Sequence, residues 1–190
     1  MPKPALKRTE IRLAGEGGQG MILAGIILAE AAAMHDDKYA VQTQSYGPEA
    51  RGGASKAEVI IDSDEIDYPE VINADVLVAL SQEACDKYAA NLKKDGLLIV
   101  DSEKVGRVPF SSAVKVPISR LALEATGKTI TANVVALGLL VGLTGVVSPQ
   151  ALEKAVVARA PKGTEEFNRV ALAKGFEAAR ESQRKNRLLG

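Results

Sequence analysis

Hydrophobic and polar positions recur along the first two thirds of the chain with two periods, one typical of strands and one typical of helices. The apolar runs are short, and those without polar positions are typical of strands buried on both faces. Strands are predicted over 11–14, 38–43, 56–61, 76–80, 97–101 and 113–116. Because helical patterns alternate with them, we expect an α/β fold of Rossmann-like type, a mostly parallel sheet with helices on both faces.

Two helices are predicted within this alternating part. The first covers about 22–33, where apolar residues recur at three- and four-residue spacing. The second begins after Ser81, a residue type that caps helix starts, and ends before Gly96. Its inner side is predicted to carry Ala84, Tyr88 and Leu92.

Only helical patterns follow Leu121, over 131–145, 149–159 and 165–187. We therefore expect a single domain over 1–190, with an α/β portion over 1–120 and a helical C-terminal portion over 121–190 packed on it. Gly138 and Gly142 have the spacing that lets another backbone approach a helix closely, and we interpret them as part of a core of packed helices.

Composition excludes several classes of function. The 24 basic and 24 acidic residues cancel, so no net field attracts nucleic acid or an anionic membrane, and neither is an expected partner. The apolar run over 134–147 is interrupted by glycines and is shorter than the about 20 residues that span a bilayer. No signal-type apolar stretch follows Met1-Pro2-Lys3-Pro4. We expect a soluble, cytoplasmic protein.

Cys85 and His35 are the only cysteine and the only histidine. The chain can therefore form no internal disulfide, no four-thiolate iron–sulfur cluster and no site of two imidazoles. No nucleophile–base pair or paired carboxylates are apparent, so we predict no catalytic residue and no metal ligands. A helix start could lower the pKa of the Cys85 thiol, but we interpret it as buried and inert.

The strongest local signal is a glycine cluster directly after the first strand, Gly15-Glu16-Gly17-Gly18-Gln19-Gly20. It matches the G-x-G-x-x-G pattern between a strand and a helix, where free N–H groups at the helix start favour an anion. We predict that Gly15, Gly17, Gly18, Gln19 and Gly20 contact a cofactor.

One departure argues against NAD(P) as that ligand, and another argues against a nucleoside triphosphate. The second strand ends in Gln44 and Ser45 and lacks the Asp or Glu that binds ribose hydroxyls. The loop also lacks the Lys-Ser/Thr of a nucleoside-triphosphate site. A free-standing NAD(P)-binding Rossmann domain remains an alternative, as does a scaffold in which the glycine cluster is only a tight turn.

A second candidate segment, 42–55, leaves the end of the second strand, on the edge that should also carry the glycine cluster. Arg51 offers a planar fork for carboxylate or phosphate, and Gly52 and Gly53 can form an anion nest. Ser45 and Tyr46 add hydroxyl groups. We predict that these residues bind an anion or a partner chain, although Arg51 could instead pair with Glu49 or Glu16.

Asn133 opens the long apolar helix, where a buried amide needs partners. It could reach the crevice and bind the cofactor there, or cap the helix. The second interpretation needs no ligand and is favoured.

The two loops resemble the gamma subunit of 2-oxoacid:ferredoxin oxidoreductases. The likeness extends to the segments 75–82, 96–101 and 131–138, and so to nearly the whole chain. Within that family the segment 42–55 is most similar to the 2-oxoglutarate enzyme, with the pyruvate and 2-oxoisovalerate enzymes as alternatives.

The resemblance implies a subunit of an enzyme that decarboxylates a 2-oxoacid, passes electrons to ferredoxin and transfers the acyl group to coenzyme A. It implies that thiamine diphosphate, Mg²⁺ and iron–sulfur clusters lie on partner subunits, alpha and beta with or without delta. This chain would hold no cofactor alone and would be inactive alone. It would wall the crevice for coenzyme A, and when isolated it could form a homodimer.

Overall fold

The computed structural model describes residues 8–45 and 54–189. Six strands form one sheet: β1 (Thr9–Glu16), β2 (Tyr39–Ser45), β3 (Ala54–Asp62), β4 (Ala74–Ala79), β5 (Leu92–Asp101) and β6 (Val114–Val116). Each contains or overlaps a strand predicted from the sequence. The spatial order is β2-β3-β1-β4-β5-β6.

The sheet is mostly parallel, as predicted, and β3 is the one reversed strand. The pairs β1/β4, β4/β5 and β5/β6 are parallel, whereas β3 is antiparallel to both β1 and β2. Since β2 and β1 each oppose β3, they run in the same direction. The carboxyl ends of β1, β2, β4 and β5 therefore all lie at the same end of the strands, which we call the carboxyl edge of the sheet.

Helices cover both faces of this sheet. They are α1 (Met21–His35), α2 (Gln82–Tyr88), α3 (Ile118–Thr126), α4 (Ala132–Thr144), α5 (Pro149–Arg159) and α6 (Glu165–Leu189). The larger core joins α1 and α3–α6 to one face. The smaller core places α2 against the other face. The three predicted C-terminal helices correspond to α4, α5 and α6, and this helical part packs on the sheet.

Helices α4 and α6 pack with their backbones nearly in contact. A Cβ atom at Gly138 would lie 2.5 Å from the Leu172 carbonyl oxygen, and one at Gly142 would lie 2.5 Å from Ala179 Cβ. On α6, a Cβ at Gly175 would overlap the Val135 carbonyl oxygen. The interpretation of Gly138 and Gly142 as close-packing residues is confirmed.

The prediction that Leu92 belongs to the α2 helix is wrong. Helix α2 ends at Tyr88, a 3₁₀ turn spans Ala89–Asn91, and Leu92 begins β5 opposite Ala74. From this strand position Leu92 packs against the smaller core and against a third cluster formed by Ile60, Val71 and Ala74. Strand pairing and burial therefore override the helical spacing of the sequence.

Asp36, just after α1, joins this helix to α5. Its carboxylate accepts hydrogen bonds of 2.6 Å from both the N–H and the hydroxyl of Ser148, the residue that caps α5, and lies 3.5 Å from Lys38 Nζ. Burial opposes ionisation of Asp36, but the bonds from Ser148 and the charge of Lys38 outweigh it and lower its pKa.

We expect Asp36→Asn to lower the free energy of unfolding by about 2 kcal/mol at neutral pH, because bonds to a charged acceptor are lost. The pKa of Asp36 is lower in the folded protein than in the unfolded chain, so the stabilisation that its carboxylate provides is complete above the unfolded-state pKa. This stabilisation disappears as pH falls through the folded-state pKa. Urea titrations at several pH values should therefore show the two proteins converging below about pH 4. A difference in the free energy of unfolding between the two proteins that stays constant down to about pH 2 would show that the charge of Asp36 does not stabilise the fold.

Candidate functional site

The glycine cluster lies where β1 ends, next to the ends of β4 and β5. The Leu80 N–H donates to the Ala14 carbonyl at 3.0 Å, so the end of β1 is tied to the residue after β4. In a sheet of parallel strands, the crevice outside these carboxyl ends is the usual ligand site.

Gln19 fixes the shape of the glycine loop. Its Oε1 accepts from the Glu16 N–H at 2.7 Å, and its Nε2 donates to the Leu80 carbonyl at 3.2 Å. Gly18 and Gly20 have φ values of 90° and 72°, which side chains rarely adopt. A Cβ at Gly15 would collide with the Gln19 amide. Gln19 therefore supports the loop from within the chain, and a direct contact with a ligand stays a prediction.

Asn133 joins the glycine loop to α4. It is buried, its Nδ2 donates to the Gly20 carbonyl at 3.2 Å, and its Oδ1 accepts from the Val134 N–H at 2.9 Å. The side chain thus satisfies one N–H of its own helix start, as the capping interpretation expects, and also reaches the loop. Gly20 has no room for a side chain, because its Cβ would lie 2.6 Å from Asn133 Nδ2.

This contact brings two helix starts together. Gly20 is the N-cap residue of α1, and Thr131 is the N-cap residue of α4. In neither helix does a side chain of the N-cap residue accept a hydrogen bond from the first turn. Neither carries an acidic residue in that turn. The positive ends of both helix dipoles therefore favour an anion here, although two N–H groups of the α4 start are already bonded, Ala132 to the Thr129 carbonyl and Val134 to Asn133.

A cleft of about 610 Å³ opens beside these helix starts. It is lined by Gly18, Gln19, Glu103, Lys104, Ser119, Arg120, Leu123, Thr129, Ile130 and Ala132. Arg120 is loosely paired, with its nitrogens 3.5 Å from Glu103 and 3.8 Å from Glu124. No ion pair of Lys104 occurs among residues 8–45 and 54–189. The cleft thus combines Lys104, Arg120 and the carboxylate of Glu103 with an apolar wall of Leu123 and Ile130.

Asp101, at the end of β5, holds two walls of the cleft in place. Its buried carboxylate accepts from the N–H and hydroxyl of Ser119, and from the Glu103 N–H at 3.1 Å. Its carbonyl accepts from the Lys104 and Val105 N–H groups. Sequence reasoning placed Asp101 only at a strand end. Its partner Ser119 is 18 residues away, and no local pattern indicates that contact.

The second predicted segment begins and ends at the same edge of the sheet. Ser45 pairs with Lys56, which pairs with Ala14 on β1, so Ser45 lies about 10 Å across the sheet from the start of the glycine loop. Ala54 pairs with Glu16, and the Ser55 hydroxyl donates to the Gly15 carbonyl at 3.2 Å. The predicted site residues Tyr46, Arg51, Gly52 and Gly53 lie outside the described residues.

Cys85 is fully buried in α2, and the interpretation of a buried thiol is confirmed. Burial raises the pKa of this thiol, and the nearby Asp86 raises it further, so the thiol stays protonated at neutral pH. Across the described ranges, no group of three His, Cys, Asp or Glu side chains could hold a metal ion. No helix in this part of the chain is long and apolar enough to cross a membrane.

The fold has clear counterparts in known proteins. Residues 10–178 match the model of the pyruvate ferredoxin/flavodoxin oxidoreductase family. The chain belongs to this family. The 2-oxoglutarate synthase subunit KorC of Methanocaldococcus jannaschii is 53% identical over 178 residues, which cover 92% of this chain and 95% of that protein.

Solved structures show the same fold in this oxidoreductase family. The gamma subunit of a keto/oxoacid ferredoxin oxidoreductase from Geobacter sulfurreducens has a TM-score of 0.85 and 52% identity, covering 92% of this chain and 98% of that one. The 2-oxoglutarate:ferredoxin oxidoreductase of Magnetococcus marinus, solved with 2-oxoglutarate, coenzyme A and succinyl-CoA bound, has a TM-score of 0.80 and 25% identity. That match covers 92% of this chain but 31% of the other.

Other members of the family are more distant. Subunits of ketoisovalerate and pyruvate/ketoisovalerate oxidoreductases are 31–35% identical over 75–77% of this chain. The resemblance to a gamma subunit, drawn from the loop motifs, is confirmed by these relatives and structures.

Strand order also separates this oxidoreductase chain from a dinucleotide-binding Rossmann domain. There, the strand that supplies the ribose-binding acid lies beside β1 in a parallel arrangement. Here the neighbour of β1 on that side is the reversed strand β3, and β2 lies one position further out. Together with the missing acid at the end of β2, this arrangement disfavours NAD(P).

Proposed function

We propose that this chain is the gamma subunit of a 2-oxoglutarate:ferredoxin oxidoreductase and forms one wall of its coenzyme A crevice. In that reaction 2-oxoglutarate loses the carboxyl group next to its oxo group as CO₂, and two electrons pass to ferredoxin. The remaining acyl group forms a thioester with the thiol of coenzyme A, which releases its proton. Four relatives named KorC, 39–53% identical over 92–93% of the chain, support 2-oxoglutarate over pyruvate or 2-oxoisovalerate.

The observation that carries the crevice assignment is the meeting of two helix starts at a cleft that holds Lys104 and Arg120. Coenzyme A carries its phosphates at the nucleotide end, and the rest of the molecule is an uncharged arm in which amide groups alternate with short apolar stretches. The starts of α1 and α4, with Lys104 and Arg120, offer positive potential, while Leu123 and Ile130 offer apolar surface. The Magnetococcus relative, which was solved with coenzyme A, shares this fold.

The redox and decarboxylation groups of such an enzyme do not fit this chain. A four-thiolate cluster needs four cysteines and the chain has one, which is buried. No cluster of acidic ligands among residues 8–45 and 54–189 suits the Mg²⁺ of a thiamine diphosphate site. We therefore place these groups, and the contact with ferredoxin, on alpha and beta subunits, with or without a delta subunit, in the cytoplasm.

The test is the activity of the assembled complex. We expect the chain, co-expressed with its companion subunits and purified through a tag on this chain, to reduce ferredoxin with 2-oxoglutarate and coenzyme A. Pyruvate and 2-oxoisovalerate should give at most a tenth of that rate. The isolated chain should show no turnover. Turnover or saturable nicotinamide binding by the isolated chain would contradict the proposal.

Arg51 is the proposed anion ligand of the segment that begins after Ser45. In the assembled complex we expect Arg51→Ala to raise KM for coenzyme A about tenfold, because a bidentate contact worth about 1.4 kcal/mol is lost. Subunit stoichiometry and KM for 2-oxoglutarate should not change. Lys154→Ala, which removes an exposed cation from α5, is the matched control. Unchanged coenzyme A kinetics in the Arg51 variant would exclude this role.

A further inference from the structure

Four exposed apolar side chains lie on α3, α6 and the turn before α4, two of them in the cleft lining. Leu123 on α3 and Ile130 in the turn before α4 line the cleft itself. Phe167 and Val170 lie one turn apart on α6, and both are exposed. We name these four residues the α3–α6 patch.

Shared neighbours show that the α3–α6 patch is continuous. The Lys128 ammonium lies 5.8 Å from the centre of the Phe167 ring, two residues before Ile130 in the chain. Val170 lines a groove together with Glu124 and Ala125, which directly follow Leu123 on α3. The patch therefore runs from the mouth of the cleft across α3 and onto α6. Apolar clusters of this kind mark interaction surfaces when they are contiguous.

The fused relatives indicate what covers this surface. In the Magnetococcus enzyme, a region like this chain forms 31% of one longer polypeptide, and in the ketoisovalerate subunits it forms 30%. There, the region is joined covalently to the rest of its chain. The relatives named KorC are matched over 89–100% of their own length, so they are separate polypeptides, and in them a non-covalent surface takes the place of that link.

We propose that the α3–α6 patch docks the companion subunit that corresponds to the remaining two thirds of the fused relatives. This inference rests on the proposed function, because it assumes that the chain works inside that complex. Since Leu123 and Ile130 belong to both the patch and the cleft, the docked subunit closes one side of the cleft. The coenzyme A crevice is then completed only on assembly.

Ile130→Asp and Phe167→Ser test this surface, with Met34→Asp as a matched control. Ile130 and Met34 are 71% and 69% exposed, so neither substitution disturbs a core. Met34 lies near the far end of α1, about 20 Å along the helix from the glycine loop. Each variant is co-expressed with the companion subunits and captured through a tag on this chain. Thermal unfolding of each variant alone verifies its fold.

We expect both patch variants to retain at least tenfold less companion subunit than the wild type, while Met34→Asp retains a normal amount. Normal retention by the patch variants would overturn the docking surface and leave the proposed function intact. If they alter only self-association of the isolated chain, the occupant is a second copy and the proposal is overturned. A wild-type chain that captures no companion would overturn both proposals.

Discussion

Gly175→Val is expected to prevent stable folding, with a loss of about 4 kcal/mol or more in the free energy of unfolding. A side chain at this position of α6 would overlap the Val135 carbonyl and lie 2.9 Å from Gly138 Cα. These are backbone atoms, so no rotamer change relieves the overlap. Helix α4 is buried along nearly its whole length, and it cannot retreat without disrupting the core.

Gly106→Val is the control for this prediction. Gly106 lies in the loop after β5, and no atom lies within 4 Å of the position its Cβ would take. We expect a change of less than about 0.5 kcal/mol there, as at most surface positions. Urea unfolding followed by circular dichroism measures both variants. A Gly175 variant that unfolds at the wild-type urea midpoint would show that α4 and α6 do not pack as closely as described.

The fold was largely predictable because most strands and helices have strong periodic patterns. All six strands and the three C-terminal helices follow directly from those patterns. The close packing at Gly138 and Gly142 was also predictable, since glycine inside an apolar helix needs a reason. Gly175 was not singled out, because a lone glycine in a largely polar helix has no visible partner until α6 lies on α4.

The reversed direction of β3 is the main feature that the periodicity could not indicate. A buried strand has the same apolar pattern in either direction. One signal was available: residues 44–55 between the predicted second and third strands are barely enough for a crossover, and they contain no helical pattern. A short polar connection of this kind favours a hairpin, which is how β2 and β3 pair.

The candidate site was predictable only in part. The glycine loop and its position at the sheet edge follow from the strand–glycine–helix order. Lys104 and Arg120 were not found, because isolated basic residues in a neutral chain have no distinguishing pattern. The cleft forms where α3 and α4 meet the ends of β1 and β5, and this meeting depends on tertiary packing.

Asp101→Ala should lower the free energy of unfolding by about 3 kcal/mol, because it leaves three donors without their acceptor, two of them buried. These donors are the N–H and hydroxyl of Ser119 and the N–H of Glu103. The loss would also free the turn that carries Lys104 and the start of α3, which carries Arg120. Hydrogen exchange should therefore accelerate most in residues 102–105 and 118–121.

Ser119→Ala separates the parts of this network. It removes the hydroxyl but keeps the Ser119 N–H bond to Asp101, so we expect a loss of only about 1 kcal/mol and little change in hydrogen exchange. Because the Asp101 carboxylate joins both walls of the cleft, its effect must exceed that of Ser119. Equal losses in the two variants, or exchange that accelerates evenly over the sheet, would show that Asp101 is an ordinary buried polar group. A larger loss in Asp101→Ala, confined to the two walls, would identify it as the residue that positions both cations of the cleft.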